Sequence, residues 1–326
     1  MPDTIYAVTR VHNNEQNMLD RPDIERLLAA KTVGDALRML RDRGWGAQDA
    51  PDGDIDRFLA AERARVWAFV EELVEDMKPF ELFRLGADYH NLKAAVKLYN
   101  AGGHLGEEAS RYFLPGGTIP AEHIMKAVSA RDDSALPPEM AEVARKAYEA
   151  ILHTGSGQAA DFTVDAGAIT AIDRAGKESP SDLLRAWARI QADAAIVKIA
   201  LRGARMGLKR DALEIAIPEA GSLDRAKLIQ AALLGAEAVL AALKETEYAD
   251  AAEVGRKGIA ALERWFDDRM MERLRPQRYV YEGIEPIAAY LIGREREIEA
   301  VRLILTAKLN AMGNELVQER LRALYV

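Results

Sequence analysis

Three segments of this 326-residue chain superimpose on one another at a spacing close to a third of its length. They are Asp88–Gly102 (DYHNLKAAVKLYNAG), Asp193–Gly207 (DAAIVKIALRGARMG) and Glu297–Ala311 (EIEAVRLILTAKLNA), at offsets of 105 and 104 residues. An acid opens each copy, at Asp88, Asp193 and Glu297, and a base stands five residues on, at Lys93, Lys198 and Arg302. The apolar stripe aligns as Leu92, Val197 and Val301, and again as Ala95, Ala200 and Ile304. Gly117 and Gly221 lie 104 apart and are followed by Thr118 and Ser222, hydroxyl residues placed to cap the helical patterns that come next. AEVARK at Ala141–Lys146 returns as AEVGRK at Ala252–Lys257. Alanine-rich helices resemble one another by composition, so one match could arise that way. Several ordered matches at similar offsets argue for three homologous units, here 1–104, 105–208 and 209–326, packed side by side in a closed or open arrangement.

Nearly every unit reads as helix. In Asp56–Met77 the residues Phe58, Val66, Phe69, Val70, Leu73 and Met77 fall near one stripe, the 3.6-residue period of an amphipathic helix. The segments Asp182–Gly207 and Arg296–Met312 repeat the pattern, and the dominant alanine, leucine, glutamate and arginine are good helix formers. Period-two runs are scarce, with TIYAV near Tyr6 and RYVYEG near Tyr279 the best of them. Glycine and proline break the helices at 101–106, 114–120, 153–158, 218–222 and 274–280. The expected fold is all-α. Acid and base five apart on a helix point about 140° away from each other, outside the usual i,i+4 pairing. If buried, each has to find its partner on another helix, and an unchanged stability in Lys198→Met would argue against such a pairing.

Composition narrows the chemistry. The absence of cysteine removes disulfides, thiolate metal sites and cysteine nucleophiles together, and fits a reducing compartment. With 44 basic against 52 acidic residues the net charge is −8, which weighs against nucleic acid as a partner. No signal peptide is expected from the opening MPDTIYAVTRVHNNEQNM. The most apolar window, Ile229–Leu243, contains Gln230 and Glu237 and reads as a buried helix rather than a membrane span.

Local motifs are equally bland. His12, His90, His104, His123 and His153 form no HExxH or other close pair, so each reads as a surface or satisfied polar residue. Asp132–Asp133 reads as a polar loop. GSGQAA at Gly155–Ala160 fits GxGxxA but follows a helical pattern, whereas a dinucleotide loop needs a strand before it. Ala171–Ser179 contains Gly-Lys without the first glycine or the hydroxyl residue of a P-loop. No catalytic, cofactor-binding or metal-ligating set emerges.

Taken in order, YAVTRVHNNEQNMLDRPDIERLLAAKTVGDALRMLRDRGWG, DYHNLKAAVKLYNAG, LPGGTIP and GIEPIAAYLIGREREIEAVRLILTAKLNAMGNELVQERLRALYV resemble the C subunit of V/A-type rotary ATPases (ATP synthases), the counterpart of the d subunit in eukaryotic vacuolar ATPases. The likeness spans nearly the whole chain. The second repeat departs from it, with Ala195–Ile196 where the first has His90–Asn91, which puts any role of the Asn91 side chain in doubt. The resemblance implies an all-helical funnel of three subdomains about a pseudo-threefold axis, with no cofactor. It implies a non-catalytic connector in the central stalk, between the shaft of the D and F subunits and the membrane ring of proteolipids. Such a connector lies on the cytoplasmic face without entering the membrane, and passes torque between ATP chemistry and proton or sodium movement. The alternative is a helical-repeat scaffold that recruits other soluble proteins. Asp88, Leu92, Lys93, Asp193, Val197, Lys198, Glu297, Val301 and Arg302 are expected to be structural.

Overall fold

The computed structural model describes residues 4–102, 109–155 and 157–326. His104, and with it most of the break expected at 101–106, lies outside the described residues, as does Ser156 in the glycine loop. Among the described residues all regular structure is helical. The helices are α1 (Thr4–Glu15), α2 (Arg21–Ala29), α3 (Val33–Asp42), α4 (Ile55–Leu73), α5 (Leu85–Asn100), α6 (Ala121–Ala130), α7 (Pro138–Thr154) and α8 (Gly157–Glu178). They continue with α9 (Asp182–Met206), α10 (Arg210–Ala216), α11 (Arg225–Leu234), α12 (Ala236–Leu243), α13 (Ala249–Arg256), α14 (Ile259–Leu274), α15 (Glu285–Leu309) and α16 (Asn314–Arg320).

Local chemistry sets most of the ends. Asp20 and Asp23 form a reciprocal capping box on α2, while Thr32, Asp54, Ser181 and Asp224 each accept an amide of the first turn they precede. The three superimposed segments all close on a left-handed residue. It is Gly102 (φ 71°), Gly207 (φ 66°) and, where the third copy has a side chain, Ala311 (φ 52°).

Three sequence expectations change. TIYAV is the start of α1, where Val8 and Val11 are buried at helical spacing, so the β-branched run is overruled by what it packs on. RYVYEG is a short 3-10 turn followed by irregular chain. Ile229–Leu243 is not one helix, because Gly235 at φ 123° separates α11 from α12.

The chain divides into two compact units. Met1–Met77 with Arg264–Val326 forms one, and Lys78–Glu263 the other. In the first, α15 packs against α1, α2, α3 and α4 and buries almost its whole circumference, from Ile287 through Ala307. In the second, α5 packs on α6 and α8, and α9 packs on α8, α11 and α12. One apolar core there joins Leu92 and Val96 of α5, Ile124 and Val128 of α6, Met140 and Ala144 of α7, and Val164 of α8. Neither unit coincides with a sequence repeat, because each repeated long helix packs on a short helix early in the following repeat, α5 on α6, α9 on α11 and α15 on α2.

Candidate functional site

The repeated acids are the chemically distinctive feature of the fold. Asp88, Asp193 and Glu297 are all completely buried, each on a repeated long helix. A buried carboxylate is costly unless its lone pairs are filled, and each is filled from the loop that leads into a short helix.

Asp88 on α5 accepts the amides of Thr118 and Ile119, both at 3.1 Å, and the Thr118 hydroxyl at 2.6 Å. Asp193 on α9 accepts the amides of Ser222 and Leu223 at 2.8 and 3.3 Å, the Ser222 hydroxyl at 2.7 Å and the buried Tyr248 hydroxyl at 2.7 Å. Thr118 and Ser222 therefore do not cap the helices as the sequence suggested. Pro120 and Asp224 hold the cap positions, and the hydroxyls turn inward as donors to the acids. The preceding glycines make room: a Cβ on Gly117 would stand 2.2 Å from Asp88 Oδ1, and one on Gly221 2.1 Å from Asp193 Oδ1.

Glu297 on α15 does the same across a much longer stretch of chain, accepting the amide of Leu19 at 2.7 Å just before α2. Here Asn17 stands where the other copies have glycine and Met18 where they have the hydroxyl donor, and the acid is one methylene longer. Glu297 also takes an arm of Arg294, whose other arm goes to Glu62 on α4. Arg294 lies over the Trp45 ring, 4.5 Å from its centroid, and Glu62 accepts the Gly46 amide at 3.0 Å. Burial pushes the Glu297 carboxyl up to about 8, reinforced by Glu62 and opposed by Arg294 and the Leu19 amide.

The bases also find partners on other helices. Lys93 bonds Asp165 on α8 at 2.6 Å, Lys198 approaches Glu263 on α14 at 3.1 Å, and Arg302 pairs with Asp56 on α4. All three bases remain partly exposed. Leu92, Val197 and Val301 are fully buried beneath them. Asn91 has a local task after all: it accepts the Leu114 amide at 2.7 Å and donates to the Leu114 carbonyl at 2.9 Å, and His90 donates to the Tyr112 carbonyl at 3.1 Å.

Sequence reasoning missed Leu19, Glu62, Arg294 and Tyr248. Leu19 had a signal, since Leu19-Asp20-Arg21 repeats as Leu223-Asp224-Arg225 at the equivalent helix start. Glu62 and Tyr248 had none, because no motif marks which polar residue of a helix or turn faces inward.

Conventional chemistry is thin. The described residues contain no group of three potential metal ligands. Gly155 caps α7 and α8 begins at Gly157, so the glycine loop joins two helices, and the Gly-Lys pair lies inside α8. Asp132 accepts from Ser134 in a local turn, and His123 donates to the Ala135 carbonyl at 3.0 Å. A cleft of about 490 Å³ in the first unit is lined by Ile24, Leu28, Ala300 and residues 321–324. Its charged groups are already engaged, Arg21 with Glu25, Arg275 with the Leu324 carbonyl and Arg322 with Asp267.

The family model of the ATP synthase (C/AC39) subunit matches residues 7–320. The chain belongs to that family. It is 19% identical to the C subunit of the V-type sodium ATPase of Enterococcus hirae over 321 residues, which is 97% of both chains. Membership in the C/AC39 family makes this the C-type subunit of a V/A-type ATPase, an accessory part of an ion-transporting complex. Among its described residues no helix is long and apolar enough to cross a membrane.

Proposed function

We propose that this C/AC39 protein is a non-catalytic connector of the central stalk, seated between a shaft built from the D and F subunits and a ring of proteolipids, and that it carries torque between them on the cytoplasmic face. The carrying observation is the handover of the buried acids. Asp88 at the end of the first repeat bonds the start of the second, Asp193 at the end of the second bonds the start of the third, and Glu297 at the end of the third bonds Leu19 at the start of the first. Such an order of contacts is what three similar subdomains in a pseudo-threefold funnel require, and the repeats 1–104, 105–208 and 209–326 are its proposed members.

A connector has to pass twist without absorbing it. Close-packed helical interiors have low compressibility, and a junction tied to one buried carboxylate by three hydrogen bonds, as at Asp88, or four, as at Asp193, does not slide freely. The proposed role needs no turnover by the isolated protein.

The test is reconstitution with purified partners. The folded chain should co-purify with the D–F pair and with detergent-solubilised proteolipid ring, and should hydrolyse no ATP alone. Failure to bind either partner, with all components folded, overturns the reading.

A further inference from the structure

The three long helices are alike in their buried acids but not at their C-terminal ends. The last turn of a helix favours one cation, which complements the exposed carbonyls. α5 supplies Lys97, paired with Asp161, and α15 supplies Lys308, bonded to the carbonyls of Leu28 and Ala30. α9 supplies Arg205 in its last turn, but from Lys198 to Arg210 the chain carries five cations, where the equivalent stretches carry only Lys93 and Lys97, or Arg302 and Lys308, in a chain of net charge −8.

Only part of this run serves the fold. Lys198 and Arg202 face Glu263, and Arg210 reaches Gln230 and Glu214. Arg205 and Lys209 are exposed and have no ion-pair partner among the described residues. Between them Met206 is 62% exposed, on the same helical face as Arg202, and Ile215 on α10 is 42% exposed. The corner from α9 to α10 is thus an apolar knob set among free cations.

Charge and repetition identify the occupant. Lipid headgroups are recognised by clusters of about four to eight cations, more than the two left free here, and the chain as a whole is acidic. A protein segment with apolar and acidic side chains fits better. The corner is also unrepeated: the positions equivalent to Arg205 are Asn100 and Leu309. A ring of identical subunits would be met by a repeated feature, whereas a partner present once would be met by a single one. On the connector reading, that single partner is the shaft. We infer that Arg205, Met206 and Lys209 form a docking corner for an acidic amphipathic helix of the shaft.

The inference rests on the connector reading, and the experiment separates the two. Wild-type chain, Arg205→Glu/Lys209→Glu and Met206→Ser are each tested for binding to the purified D–F pair, to solubilised proteolipid ring and to vesicles containing phosphatidylglycerol. Circular dichroism and thermal midpoint check that each variant is folded. The double reversal should weaken D–F binding by about tenfold or more, with a loss that shrinks at high salt, and leave ring binding unchanged. Met206→Ser should weaken D–F binding at all salt concentrations. Wild-type affinity for D–F in both folded variants overturns the inference alone. So does a loss confined to vesicles, or one equal for shaft and ring. If wild-type chain binds neither shaft nor ring, the connector reading falls and the docking corner falls with it.

Discussion

At the scale of single residues, the buried acids carry the strongest expectations. Asp193 satisfies four donors, and Asp193→Ala would strand two amides and two hydroxyls away from water. Each stranded donor costs about 1–3 kcal/mol, and partial relaxation should hold the total near 3–5 kcal/mol, measured by urea unfolding. At Ala311, held at φ 52° where Gly102 and Gly207 serve the other copies, Ala311→Gly should stabilise by about 0.5–1 kcal/mol in the same assay. Glu297 brings a pH dependence. A glutamate titrates near 4.5 in the unfolded chain and is pushed up to about 8 in the fold, so the native state holds a proton that the unfolded state releases. Its contribution is full below about 4.5 and is lost as pH rises through 8, with a slope of up to about 1.4 kcal/mol per pH unit. Burial raises Glu15 in the same direction. Urea titrations from pH 5 to 8.5 should show stability falling with pH, more steeply in wild type than in Glu297→Gln, which keeps an acceptor for Leu19.

At the scale of elements, the bases of the repeat are worth less than their regularity suggests. Lys198 and Glu263 are each about a third exposed, so solvent screens the pair and both side chains give up entropy to meet. A double-mutant cycle of Lys198→Met with Glu263→Gln should give a coupling below about 1 kcal/mol. The helices were legible from their apolar period, their caps and their glycine stops. What was not legible was the direction of a short polar side chain. Thr118 and Ser222 have the sequence context of caps, yet both turn inward, because a buried carboxylate one helix away outcompetes the first-turn amides.

At the scale of the whole molecule, covalent order and packing order differ by one step. A short helix early in each repeat (α6, α11 or α2) packs on the long helix that closes the repeat before it, so the compact unit 78–263 contains two such junctions and the other unit contains the third. A fragment Lys78–Glu263 should therefore keep its helical circular dichroism and melt cooperatively. Met1–Met77 alone should not, since α2, α3 and α4 would lose the apolar face of α15 and Glu62 would lose Arg294.

The sequence by itself determined the helical class, three superimposable segments with the positions of their acids and bases, and the family, because these follow from periodicity and order along the chain. Only the tertiary structure decided that the three acids are buried and what satisfies them. Their backbone amide donors lie about 30 residues onward for Asp88 and Asp193 and 278 residues back for Glu297. A hydrogen bond across that distance leaves no local pattern, since it is set by which helix packs on which.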